Sequence, residues 1–79
     1  MNGKEQKEYR DRIVSDPAIM HGKPVVKGTR IPAALILGFL AAGESPDDII
    51  AEYPQLKPED VQACLAYAAS LAEFGVYAF

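Results

Sequence analysis

The chain has 79 residues, of which 49% are hydrophobic and 24% are charged, and its formal net charge is −3 at pH 7. This composition is that of a globular domain and suggests neither a disordered nor a fibrous protein. The length allows one small hydrophobic core and excludes enzymes built of two lobes or of a large barrel. We therefore expect a binding protein and not an enzyme.

The charges are distributed unevenly along the chain. Residues 1–32 hold seven Lys or Arg against four Asp or Glu, a net +3, whereas residues 33–79 hold one against seven, a net −6. Such an asymmetry indicates a basic surface for an anionic partner. The alternative is that both charged faces are merely solvated.

Cysteine content and hydropathy indicate the compartment. The single cysteine, Cys64, excludes an intramolecular disulfide, and residues 1–12 lack the apolar core of a signal peptide. The longest apolar stretch, residues 31–42, is too short to span a bilayer. We expect a cytoplasmic protein with no membrane partner.

Short β elements are predicted near the N-terminus. Residues 1–11 are polar and are expected to form a flexible tail, and Ile13 and Val14 predict a short strand that ends at a turn. Residues 22–32 predict a β-hairpin with Val25 and Val26 in one arm and residues 29–31 in the other. Gly28 supplies the positive φ that its tight turn needs.

Helical signals follow. A first helix begins at Pro32 and ends before Gly43, a second begins at the Ser45 cap, and a third runs from Pro58 to Gly75. Residues 12–75 are thus predicted to form one mostly α domain, a trihelical helix-turn-helix with an N-terminal hairpin, and residues 76–79 an apolar tail.

The first predicted helix is apolar on nearly every side, through Leu35, Ile36, Leu37, Phe39 and Leu40. A helix of this kind needs cover on more than one face, and the chain has little material to supply it. A symmetric pair of chains meets this need, so we expect a homodimer.

The polar residues predict no catalytic, metal or cofactor site. His21 is the only histidine and there is no cysteine pair, whereas a metal needs three or four ligands. Cys64 lies on an apolar helix stripe, and Ser45 and the paired acids are accounted for by helix starts.

For nucleic acid, the hairpin is a better candidate than the third helix. That helix is expected to expose mainly acidic and neutral side chains, Glu59, Asp60, Gln62, Ala66 and Glu73, which would repel phosphates. The hairpin carries the clustered cations, so any DNA-binding residues are predicted to be Lys23, Lys27, Thr29 and Arg30.

Several motifs, in one order between residues 13 and 71, resemble the family known as domain of unknown function 433. They are Asp16-Pro17, Gly22-Lys23-Pro24, Gly28-Thr29-Arg30, Gly43, Ser45-Pro46, Tyr53-Pro54-Gln55-Leu56, Glu59-Asp60-Val61 and Ala66-Tyr67-Ala68. The resemblance implies a homeodomain-like, winged-helix-type fold. It also implies the role of antitoxin in a type II toxin–antitoxin pair, with a toxin related to PIN-domain ribonucleases as partner.

An antitoxin must bind its toxin, and this suggests partner-binding residues. Arg30 could replace the metal in a carboxylate-lined nuclease site, although pairing with an acid of its own chain is the alternative. Val76, Tyr77 and Phe79 could add a strand to the partner or pack on their own domain. Two other functions stay open: a stand-alone DNA-binding regulator, and a structural or assembly homodimer.

Overall fold

The computed structural model describes the backbone of residues 11–75 and the side chains of residues 11–73. Two strands, β1 (Ile13–Val14) and β2 (Val25–Val26), precede three helices: α1 (Ala33–Ala41), α2 (Pro46–Glu52) and α3 (Pro58–Gly75). The predicted mostly α fold with an N-terminal hairpin is confirmed. The predicted N-terminal tail, except for its last residue, and the whole predicted C-terminal tail lie outside the described residues; these are residues 1–10 and 76–79.

The strand pairing differs from the predicted one in detail. β1 and β2 pair antiparallel, Ile13 opposite Val26 and Val14 opposite Val25. The arm predicted over residues 29–31 is not a strand, and beyond it the chain makes only an isolated bridge between Val25 and Pro32. β2 therefore lies between β1 and the returning chain, and both of its valines are buried.

The helix boundaries follow the predicted signals. Pro32 is the N-cap of α1, and Gly43, just past its end, has φ +97°. At α2, the Ser45 side chain accepts from the Asp48 N–H while the Asp48 carboxylate accepts from the Ser45 N–H. This reciprocal capping box satisfies two N–H groups that a helix start leaves unpaired.

The core is built where the helices meet β2. α3 contacts α1, α2 and β1, and these contacts enclose one cluster of buried side chains: Val26, Ile31, Ala33, Ile36, Ile49, Leu56, Val61 and Cys64. Phe39 and Tyr53 pack at its margin with ring centroids 6.0 Å apart. Together these contacts hold the hairpin against the three helices.

The apolar stripe of α3 is buried only in part. Val61 and Cys64 are buried, but Leu65 is 48% and Leu71 53% exposed. In α1, Ile36 is buried, Leu37, Phe39 and Leu40 are partly buried, and Leu35 is 38% exposed. The homodimer stays a prediction, which sedimentation equilibrium tests.

No helix within residues 11–75 has both the length and the apolar content needed to cross a bilayer.

Candidate functional site

The candidate site lies at the turn that follows β2. Gly28 has φ +82°, as predicted, and the Val26 carbonyl accepts from the Thr29 N–H at 3.0 Å. The Val26 N–H donates to the Ile31 carbonyl, also at 3.0 Å. These two bonds close a tight turn over residues 26–31.

The Thr29 side chain locks this turn from inside. Its hydroxyl donates to the Val26 carbonyl at 2.8 Å and accepts from the Ile31 N–H at 3.0 Å. Thr29 was predicted among the DNA-binding residues, but its hydroxyl is already engaged by the backbone. Thr29 therefore stabilises the backbone conformation of the turn over residues 26–31.

Arg30 is the residue that this arrangement presents. It lies between the locked Thr29 and the buried Ile31, and its own side chain is exposed. Across residues 11–73, its guanidinium has no hydrogen-bond or ion-pair partner. The alternative of pairing with an acid of the same chain is therefore not found within that range.

An open groove of about 460 Å³ lies beside Arg30. Its walls come from four separate segments of the chain: β1, the loop between β1 and β2, the turn that follows β2, and the loop after α2. The lining residues are Val14, Ile19, Gly28, Thr29, Arg30 and Gln55. The groove thus combines apolar walls with one cation, one amide and one engaged hydroxyl.

The segment that supplies Ile19 contains an unusual turn. Met20, His21 and Gly22 all have positive φ, at 50°, 58° and 83°. Two of them are not glycine, and residues with a side chain seldom adopt this conformation. Gly22 is the only one of the three whose residue type favours this conformation. His21 is exposed here.

The other hairpin cations are also exposed. Lys23 precedes β2 and Lys27 follows it, and the Lys27 N–H donates to the Arg12 carbonyl at 2.7 Å. Neither lysine lines the groove. The hairpin therefore has three exposed cations, of which only Arg30 faces the groove.

Asp60 is buried, which corrects its predicted exposure on α3. It is 6% exposed, and its carboxylate accepts from Arg12 Nη1 at 3.0 Å and from the Lys57 N–H at 2.9 Å. The second bond caps a helix start at which lysine supplies no cap of its own. The bond from Arg12 joins α3 to the residue that precedes β1. Sequence reasoning missed this pair because the partners are 48 positions apart.

Cys64 lies in the core next to Asp60 on α3. Burial raises the pKa of its thiol from 9.0 to about 11, and the negative charge of Asp60 adds to the shift. The thiol is therefore neutral at physiological pH and weakly nucleophilic. Within residues 11–75, no three His, Cys, Asp or Glu side chains are grouped so as to hold a metal ion.

Comparison with known proteins places the chain in a family. The family model described as "Protein of unknown function (DUF433)" matches residues 13–68. The chain belongs to this family. An uncharacterized protein, y4eO of Sinorhizobium fredii (strain NBRC 101917 / NGR234), is 36% identical over 59 residues, which are 75% of this chain and 27% of that protein. The matched segment thus spans about a quarter of the length of this relative.

A solved structure shows the same fold. The crystal structure of a DUF433 member protein from Anabaena variabilis ATCC 29413 has a TM-score of 0.73 with this chain. The two are 21% identical, and the match covers 92% of this chain and 79% of the other. The groove beside Arg30 falls within the segment matched by the DUF433 family.

Proposed function

We propose that this protein is a non-catalytic binding module that acts as the antitoxin of a type II toxin–antitoxin pair and neutralises a PIN-like ribonuclease. The observation that carries the proposal is the state of Arg30. Its backbone is fixed by the turn bonds of Thr29 and by buried Ile31, while its guanidinium has no partner among residues 11–73.

Such an arginine suits the active site of a PIN-type nuclease. That site is built of carboxylates that hold a divalent metal, and a guanidinium binds carboxylates through paired, charge-assisted hydrogen bonds. A fixed backbone lowers the ordering cost of binding. Arg30 could therefore occupy the metal's position in the nuclease and stop its reaction.

The test uses the product of the reading frame adjacent to this gene, purified with and without this protein. We expect the product to cleave RNA and the full chain to inhibit it in a stable complex. Arg30→Ala should weaken inhibition about tenfold or more, because it removes a buried charge pair at the interface. Lys57→Ala removes an exposed cation at the start of α3 and serves as the matched control. Absence of a complex would overturn the proposal.

DNA binding by the hairpin is the second candidate, and the exposure of Lys23, Lys27 and Arg30 favours it. The exposed side of α3 includes Glu59, which phosphates would avoid. Autoregulation of the operon would then use the hairpin as a ribbon or wing.

Fluorescence anisotropy with duplex DNA from the upstream region tests this candidate. We expect affinity to fall steeply with salt and to drop when Lys23 and Lys27 are both changed to Ala. Unchanged affinity in that double variant, together with loss of binding in Gln62→Ala, would identify α3 as the reader and contradict the candidate.

A further inference from the structure

We infer that the groove beside Arg30 is a peptide-binding site for a carboxylate-bearing side chain with an apolar neighbour. This inference rests on the proposed function, since it states what kind of partner segment the hairpin side of the antitoxin recognises. The carboxylate would bind the Arg30 guanidinium, and the apolar side chain would lie against Val14 and Ile19.

The charge of the lining selects an acidic group. Among the described lining residues, Arg30 is the only charged one, and it has no acidic partner within residues 11–73. An acidic side chain would supply the missing charge, and an arginine fork binds a carboxylate with two parallel hydrogen bonds. Gln55, on the loop after α2, adds an exposed amide that can bind a peptide backbone.

The apolar part of the lining selects a peptide over a nucleic acid. Val14 and Ile19 are half-buried and offer hydrocarbon surface, which a sugar–phosphate backbone does not fit. Affinity for nucleic acid comes from several cations that follow successive phosphates. Lys23 and Lys27 are outside the groove, so a single cation faces whatever enters it.

The groove is also held in shape before any partner arrives. Thr29 fixes the backbone on both sides of Arg30 through its two hydroxyl bonds. On the opposite wall, the Ile19 N–H donates to the Asp16 carbonyl at 2.8 Å, and the Ile19 carbonyl accepts from the Gly22 N–H at 3.0 Å. A preformed site loses little conformational entropy on binding, which suits recognition of a short segment.

The experiment is an NMR titration of the ¹⁵N-labelled full chain with blocked hexapeptides. One peptide holds Asp next to Leu, the second holds Asn in place of that Asp, and the third holds Ser in place of the Leu. We expect the first to shift the amides of Gly28, Thr29, Arg30 and Gln55, and the other two to bind about tenfold more weakly.

Two charge-matched variants sharpen the assignment. Arg30→Gln should weaken the Asp–Leu peptide about tenfold, whereas Lys27→Gln, which removes the same charge outside the groove, should leave its affinity within about twofold. Both positions are exposed, so both variants should fold, and the dispersion of the amide spectrum checks this.

Four outcomes would overturn the inference: no binding of any of the peptides, equal binding of the Asp and Asn peptides, shifts that avoid the groove, and a duplex DNA that shifts the same amides and displaces the peptide. The antitoxin proposal fails separately. If the peptides bind the groove but the adjacent gene product forms no complex, the groove assignment stands and the antitoxin role falls. If that complex forms and depends on Arg30 but no peptide binds, the antitoxin role stands and the groove assignment falls.

Discussion

Residues 11–32 contain two strands of two residues each, whereas residues 33–75 lie mostly in three helices. The two regions are held by different forces. In the first, the backbone is fixed by turn hydrogen bonds and by glycines such as Gly28 at positive φ. In the second, helix caps set the boundaries, and burial of side chains such as Ile36 and Ile49 sets the packing.

The two regions also differ in charge. Residues 11–32 hold four basic and two acidic residues, and residues 33–75 hold one basic and seven acidic ones. Residues 11–32 supply five of the six groove-lining residues and most of the cations, and the loop after α2 supplies the sixth, Gln55. The ion pair between Arg12 and Asp60 joins the two regions.

Removing the ion pair between Arg12 and Asp60 should have the largest effect on stability. Asp60→Ala leaves Arg12 and the Lys57 N–H without their acceptor, and we expect a loss of about 2–3 kcal/mol in unfolding free energy. This loss is smaller than the roughly 3–5 kcal/mol typical of a fully buried ion pair. The reason is that the Arg12 side chain is 38% exposed and is partly screened by water. Urea denaturation measures the loss, and Asp47→Ala, at an exposed first-turn acid of α2, should cost no more than about 1 kcal/mol. Equal costs at both positions would contradict the assignment.

Alkaline pH should weaken the helical region through Cys64. Its pKa is raised on folding from 9.0 to about 11, so the neutral thiol contributes its full stabilisation below pH 9 and loses it as the pH rises to about 11. The total loss should be about 2–3 kcal/mol. Urea denaturation across this window should show a smaller decline for Cys64→Ala than for the natural chain. Parallel pH profiles would show that the thiol does not titrate in this way.

The turn that follows β2 should be sensitive to substitution of Gly28, because this residue has a positive φ. A Cβ at Gly28 would meet nothing within 4 Å, so the cost of Gly28→Val comes from the positive φ and not from a clash. We expect a loss of about 1–2 kcal/mol, and a smaller one for Gly28→Asn, because asparagine tolerates the left-handed region. Thermal denaturation compares the two. Equal stability of both variants and the natural chain would contradict the backbone argument.

The corresponding change in the helical region should have the opposite sign. Gly38 lies inside α1, has no positive φ, and has open space around the position of a Cβ. Gly38→Ala should therefore stabilise the protein by about 0.5–1 kcal/mol, because alanine restricts the unfolded chain and favours the helix. A lower melting temperature in this variant would show that α1 needs glycine for another reason.

The sequence by itself determined the features that depend on neighbouring residues. Ser45 capped α2, Gly43 followed the end of α1, and Gly28 took the positive φ of a turn, all as predicted. Each of these positions is fixed by hydrogen bonds or steric limits within a few residues. Such short-range constraints can be read directly from the order of amino acids.

Only the tertiary structure decided which distant residues meet. It paired β2 with β1, brought Arg12 to a buried Asp60, and left Leu65 and Leu71 of the α3 stripe exposed. It also gathered the groove around Arg30 from four segments. In the sequence, Asp60 resembles any first-turn acid and Leu65 any core leucine. Their surroundings depend on how the elements pack against one another, and local periodicity carries no record of that packing.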